Sequence, residues 1–295
     1  MKRFRLLALL LALLMVAGLC GGCTIGNTGK TGDPGGDVQA PPANRLEAII
    51  ARGYIQVATE PYFAPNEFID PSKTGSDQYV GSDIELAKYI ADKLGVRCEI
   101  VPLEFSAVLA SIVEGKYDLA ISALGYTPAR NESMILSKGY YFDEDAPGHG
   151  LLIRTELKDQ IKSADDLTDF VVVCQSGSMQ ELYATTQIPA CKELKRVSAT
   201  TDGFLMVQEG KADACVTSIP TAQLYINANP ECGLMVVENF EFDISPEMEG
   251  TRIGIPPGET ELADAINEII DEVVASGIYV DWYEEYTKYA QSLGI

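Results

Sequence analysis

Apolar and polar positions alternate along this chain in two rhythms, one of strands and one of helices. Tyr54 to Thr59, Val96 to Val101, Tyr117 to Ser122 and Phe170 to Cys174 are short apolar runs with the length of buried strands. Between them, Asp83 to Leu94 places Ile84, Ala87, Ile90, Ala91 and Leu94 on one helical face and meets its stop at Gly95. Leu262, Ile266, Ile269, Ile270 and Val273 mark a late helix closed by Gly277. Strands alternating with helices imply parallel sheets covered by helices, an α/β fold.

The pattern repeats. Glu114-Gly115-Lys116-Tyr117-Asp118 runs into Leu-Ala-Ile-Ser, and Glu209-Gly210-Lys211-Ala212-Asp213 runs into Ala-Cys-Val-Thr. Helix-period residues precede each copy: Phe105, Val108, Leu109 and Ile112, then Phe204, Leu205 and Val207. Helix, glycine and strand recurring in this order predict two α/β lobes on a related plan. Ligands gather beyond the carboxyl ends of parallel strands, so two such lobes would hold a small molecule in the cleft between them.

The ends of the chain modify this picture. Lys2, Arg3 and Arg5 precede an apolar stretch from Leu6 to Leu19 that is short for a membrane span, and small residues then lead to Cys23. This resembles a bacterial lipoprotein signal over 1–23, with Cys23 acylated, although Cys20 stands where a leucine is usual. Thr24 to Ala43 is rich in Gly, Pro, Thr and Asp and predicts a flexible tether. The whole chain carries a formal charge of −21, which disfavours nucleic-acid partners. A single histidine, His149, and the absence of Cys-x-x-Cys spacing among the five cysteines after Cys23 argue against a structural zinc site, and no metal is expected. Cys174 and Cys215 lie in strand-like runs as small core residues. Cys191 and Cys232 lie in polar connections, where an exported protein can join them; the sequence leaves that pairing open.

Candidate chemistry concentrates in Ala123 to Arg130. Thr127 reads as a helix N-cap, Pro128 as the first helical residue and Arg130 as the third. A guanidinium beside an open helix N-terminus suits the two oxygens of a carboxylate. An ordinary surface arginine in a capped helix gives the same local pattern.

The body, from about Arg45 onward, resembles the bacterial extracellular solute-binding proteins of family 3, polar amino-acid receptors of ABC importers. Gly81-Ser82-Asp83-Ile84-Glu85-Leu86, the tract from Lys116 to Arg130, and Ile135-Leu136-Ser137-Lys138-Gly139-Tyr140-Tyr141 carry the likeness in the family's order and spacing. The resemblance implies a type II periplasmic-binding-protein fold joined by two strands, with crossovers near Pro147 to Ile153 and Gly250 to Pro256. Lobe 1 would be 44–148 with 252–295, and lobe 2 would be 149–251.

Matched position by position, the resemblance implies a ligand pocket. Phe63 and Phe105 would hold the aliphatic part of the ligand and Glu60 would contact its side chain. Ala123 and Gly125 would present backbone groups, and Arg130 would clamp the α-carboxylate. Gln175, Ser178 and Met179 would close the carboxylate cage from the second lobe. Two positions depart from the family. Gly125 replaces a Thr or Ser, removing one hydroxyl. Ser218 replaces the Asp that pairs with the α-ammonium, so Glu60 or Glu181 would have to supply that charge, or the ligand lacks a conventional ammonium.

The implied function is capture of an amino acid or related small carboxylate by cleft closure, with delivery to a membrane permease and its ATPase. The implied state is a lipid-anchored extracytoplasmic monomer without cofactor. Rival readings on the same scaffold are a cyclohexadienyl-dehydratase-like enzyme and a ligand-binding sensory module.

Overall fold

The computed structural model describes residues 41–142 and 148–295. The leader, Cys20, Cys23, the tether as far as 40, and Pro147 in the first predicted crossover lie outside the described residues.

Two five-stranded sheets share one plan. The first runs Arg97–Pro102, Tyr54–Thr59, Leu119–Gly125, Thr251–Ile255, Ile135–Leu136; the second runs Glu193–Val197, Val171–Gln175, Ala214–Ser218, His149–Arg154, Leu234–Val236. In each, the first three strands are parallel and the fourth is antiparallel to both its neighbours. A small three-stranded antiparallel sheet, Tyr62–Phe63, Glu67–Ile69 and Tyr79–Val80, flanks the first.

The repeated Gly-Lys-x-Asp tract is the physical basis of this similarity. Asp118 exchanges hydrogen bonds with the neighbouring strand at Gln56, whose N–H donates to its Oδ2 at 2.7 Å. Asp213 does the same with Val171 at 2.9 Å. An arginine then locks each turn. Arg45 donates to Asp118 and to the carbonyls of Gly115 and Tyr117; Arg154 donates to Asp213 and to those of Val207 and Ala212. Gly115 and Gly210 follow their helices with φ of 66° and 71°, the left-handed turn that the tract requires.

Packing follows the two rhythms. In the second sheet Leu151, Ile153, Val172, Cys174, Ala214 and Val216 face the helix Met179–Gln187. Leu152, Val173 and Cys215 face the opposite side, with Phe204, Val207 and Ala222. Leu205, predicted on that apolar face, is 45% exposed. The first sheet packs Ile55, Val57, Leu119 and Ile121 against Ser82–Leu94 and Thr260–Ser276, and Ala58 and Ala120 against Phe105–Val113.

The cysteine pairing that the sequence left open is not made. Cys191 and Cys232 are both free, and they pack into clusters on opposite faces of the second sheet. A disulfide cannot cross a sheet at that separation. Cys174 and Cys215 are buried core residues, as expected. Among the described residues no helix is long and apolar enough to cross a membrane.

Candidate functional site

The strands Leu119–Gly125, Val171–Gln175 and Ala214–Ser218 all point their carboxyl ends at one cavity of about 500 Å³ between the lobes. Glu60, Phe63, Phe105, Ala123, Gly125, Arg130, Gln175, Ser178, Met179 and Ser218 all line it. The structure thus brings together every residue of the predicted pocket. Glu181 is not among them: it receives the Gly177 N–H at 2.7 Å and pairs with Arg196. Of the two acids considered for the ligand's charge, only Glu60 is at the site.

Arg130 sits where the sequence predicts, at the third position of a capped helix, with its N–H donating to Thr127 Oγ1 at 3.1 Å. That helix, Pro128–Ser133, has only 6 residues. Its first residue is proline and its third amide is committed to the Thr127 cap, so the Ala129 amide alone is left to face a ligand and the dipole is small. The guanidinium carries the site instead. Nη1 donates to the Gly125 carbonyl at 2.7 Å, and Nη2 reaches across to the Gly177 carbonyl of the second lobe at 2.9 Å. The Phe105 ring lies 5.5 Å beneath it. Arg130 is 6% exposed, and burial lowers its pKa to about 10, which leaves it charged at neutral pH. Among the described residues both hydrogen-bond partners of the guanidinium are carbonyls, so the buried positive charge has room for an anion.

The same cavity is also lined by acids. Glu60 is 1% exposed, and its Oε1 is buried without a hydrogen-bond partner among the described residues. Burial raises its pKa to about 8, with Asp202 adding to the rise and the Gln175 side chain opposing it. Glu67, which sequence reasoning missed, lies beside it. The Glu60 N–H donates to Ser122 Oγ at 3.0 Å, and that hydroxyl donates to Glu67 Oε1 at 2.9 Å. Glu67 is fully enclosed, and burial together with Asp83 and Glu60 holds its pKa well above the carboxylate range.

Asp83 works beneath the floor. It accepts from Tyr279 at 2.5 Å, Tyr140 at 2.9 Å and the Ala123 N–H at 2.7 Å. That last bond fixes Ala123 at φ 47°, a left-handed conformation strained for a residue with a Cβ. With its N–H held by Asp83, Ala123 retains only its carbonyl for a ligand. Gly81 makes this floor possible. A Cβ there would stand 2.1 Å from the Asn66 carbonyl oxygen, so only glycine lets the strand and helix meet.

From the second lobe, Ser178 caps the helix Met179–Gln187 by accepting the Glu181 N–H at 3.1 Å. The amides of Met179 and Gln180 open this helix and have no carbonyl a turn earlier to meet. Met179 also explains Gly125. A Cβ at Gly125 would approach Met179 Cγ and Sδ to 3.1 Å, so the side chain missing from the first lobe is replaced by one from the second. His149 is not among the pocket residues that the sequence predicts. It lines the cavity as the cross-strand partner of Ser218, with its ring 5.1 Å from Tyr183.

Several known proteins are similar to this chain in sequence or in fold. The chain is 24% identical to the ABC transporter arginine-binding protein 1 of Escherichia coli, over 69% of this chain and 80% of that one. It is 25% identical to a probable histidine-binding protein of Campylobacter jejuni, over 79% and 84%. It is also 24% identical to the cyclohexadienyl dehydratase of Pseudomonas aeruginosa, over 68% and 72%. Among solved structures, an amino acid ABC transporter substrate-binding protein from Streptococcus pneumoniae bound to L-arginine superposes with a TM-score of 0.73. It has 30% identity and covers 83% of this chain and 98% of that one. These likenesses agree with the two-lobed fold, and the family's sequence profile spans residues 55–289, so the chain belongs to the bacterial extracellular solute-binding proteins, family 3.

Proposed function

We propose that this protein is the binding component of an ABC importer and captures an amino acid with a cationic side chain. The observation that carries this is the polarity of the cavity. Arg130 is the single cation among the described lining residues, and the same cavity is lined by the buried acids Glu60 and Glu67. A ligand carboxylate would take the free N–H groups of Arg130 and the opening amides of the helix Met179–Gln187. Its side chain would lie between Phe63 and Phe105 and end at Glu60. Because Arg130 and the Gly177 turn belong to different lobes, a ligand that engages both favours the closed arrangement. A permease and ATPase would read that closed form. The names of the arginine-binding relatives support the same ligand class.

The site roles, the lobe boundaries at 148/149 and 251/252, the monomeric state and the acyl anchor at Cys23 belong to this proposal. Isothermal titration with L-arginine tests its centre: binding is expected in the wild type and lost in Arg130→Ala, and equal affinity in the two would reject it. Movement of Cys23→Ser from the membrane to the soluble fraction tests the anchor.

One observation favours a second reading. A Glu60 carboxyl that titrates near 8 is a general acid at neutral pH, as a dehydratase would need. Release of water from a prephenate-like acid, absent in Glu60→Gln, would establish it. With one cation in the lining, a substrate bearing two carboxylates is poorly matched, and the binding role is preferred.

A further inference from the structure

The cavity does not end at Ser218. This residue sits opposite His149 in the antiparallel pair of the second sheet, and both line the cavity. The His149 Nδ1 is buried without a partner among the described residues. Beyond His149 the wall continues through direct bonds. The Phe242 N–H donates to the His149 carbonyl at 2.8 Å, and the Gly148 N–H donates to Glu241 Oε2 at 2.8 Å. Tyr141, Ile244 and Tyr283 continue the wall and acidic Glu249 joins Glu241 in it. About 500 Å³ falls in the range that encloses drug-sized ligands, more than roughly a dozen heavy atoms of a free basic amino acid need.

A free α-ammonium spreads a full charge over three donors and is best met by a carboxylate. The resemblance sets the α-nitrogen against the strand end at Ser218, which with His149 offers a hydroxyl and an imidazole, neither of them charged. Burial holds His149 to a pKa of about 4, so it is neutral at pH 7. Two uncharged partners suit a nitrogen that is itself uncharged, as in an amide. The arm behind them then has a use, because an acyl group on that nitrogen points away from the carboxylate and the side chain.

We infer that the preferred ligand is a basic amino acid acylated on its α-nitrogen, a dipeptide with a basic C-terminal residue, whose amide N–H meets Ser218 and His149 and whose N-terminal residue occupies the arm toward Glu241. This rests on the reading of Arg130 and Glu60 given above and adds the class of ligand. The N-terminal ammonium of such a dipeptide would face the acidic Glu241 and Glu249, which disfavour an acidic first residue.

Titration of the full-length protein with glycyl-L-arginine and with L-arginine tests this. The dipeptide is expected to bind at least about tenfold more tightly, and Ser218→Asp, which restores a charge for an ammonium, is expected to reverse that order. Arginine binding as tightly as the dipeptide in the wild type overturns the inference and leaves the receptor reading standing. Binding of neither ligand overturns both. An unchanged ratio in a folded Ser218→Asp protein rejects the role of Ser218, with circular dichroism confirming the fold.

Discussion

Arg130 holds the carbonyl of Gly125 on its own lobe at 2.7 Å and that of Gly177 on the facing lobe at 2.9 Å. One planar fork thus touches both lobes through two separate nitrogens, where a lysine would have a single one. A carboxylate added to its remaining N–H groups would bind best where both carbonyls are already in place. Arg130→Lys keeps the charge and loses the span. Each charge-assisted hydrogen bond contributes about 1.5–3 kcal/mol, so Arg130→Lys should weaken L-arginine binding roughly 10–100-fold by titration. An affinity within a factor of two of wild type would mean that charge alone is read.

Gly125 and Met179 divide one volume between the lobes. A Cβ at Gly125 would press on Met179 at 3.1 Å, and the branched side chain of Gly125→Val leaves Met179 no room without displacement. Gly125→Val should weaken ligand binding at least about tenfold and hinder the ligand-induced contraction seen by small-angle scattering. Adding Met179→Ala returns the volume, so the double variant should recover part of the loss. A double variant no better than Gly125→Val would show that the valine harms the strand rather than the closure.

The two copies of Gly-Lys-x-Asp have unequal weight. Asp118 has a side chain 1% exposed and pairs with both Arg45 and Arg52, whereas Asp213 is 24% exposed and pairs with Arg154 alone. Removing a buried acid leaves its arginines and a strand N–H without their acceptor. Asp118→Ala should cost about 3 kcal/mol, a fall in melting temperature of roughly 6–12 °C for a domain of this size. Asp213→Ala should cost less, nearer the value of a partly exposed pair. Calorimetry that gives Asp213→Ala the larger fall would contradict this ranking.

That tract also shows why so much of the fold was legible. Gly115 and Gly210 mark helix ends because a positive φ leaves few other choices, and Asp118 and Asp213 recur because each strand start needs the same acceptor. The pocket residues were legible for a related reason: the turns after Thr59, Ser122, Cys174 and Thr217 follow strands whose apolar runs are plain. Three features were hidden. The short helix after Thr127 ends where Met134 becomes extended, and no residue type announces that. Glu67 and His149 reach the cavity only through pairings across strands, Glu67 opposite Phe63 and His149 opposite Ser218. The cysteines Cys191 and Cys232 are similar in sequence context, and only sheet geometry separates their faces.

Glu60 should make binding depend on pH in a definite direction. Its pKa is raised by burial to about 8, so in the empty site at pH 6 the carboxyl is mostly protonated. A cationic side chain favours the carboxylate, and binding below that pKa must therefore release a proton. The affinity for L-arginine should rise with pH, by up to about tenfold per unit, and level off near pH 8. Stability of the empty protein runs the other way. A carboxyl with its folded pKa above the ordinary value stabilises the fold at low pH and loses that contribution as pH climbs from about 4.5 to about 8. Glu60→Gln removes the titrating group. It should flatten the affinity profile and lift the melting temperature at pH 8 relative to wild type. Titrations repeated in buffers of different ionisation enthalpy count the proton directly. A binding heat independent of buffer at pH 6.5 would show that Glu60 holds no proton for the ligand to displace.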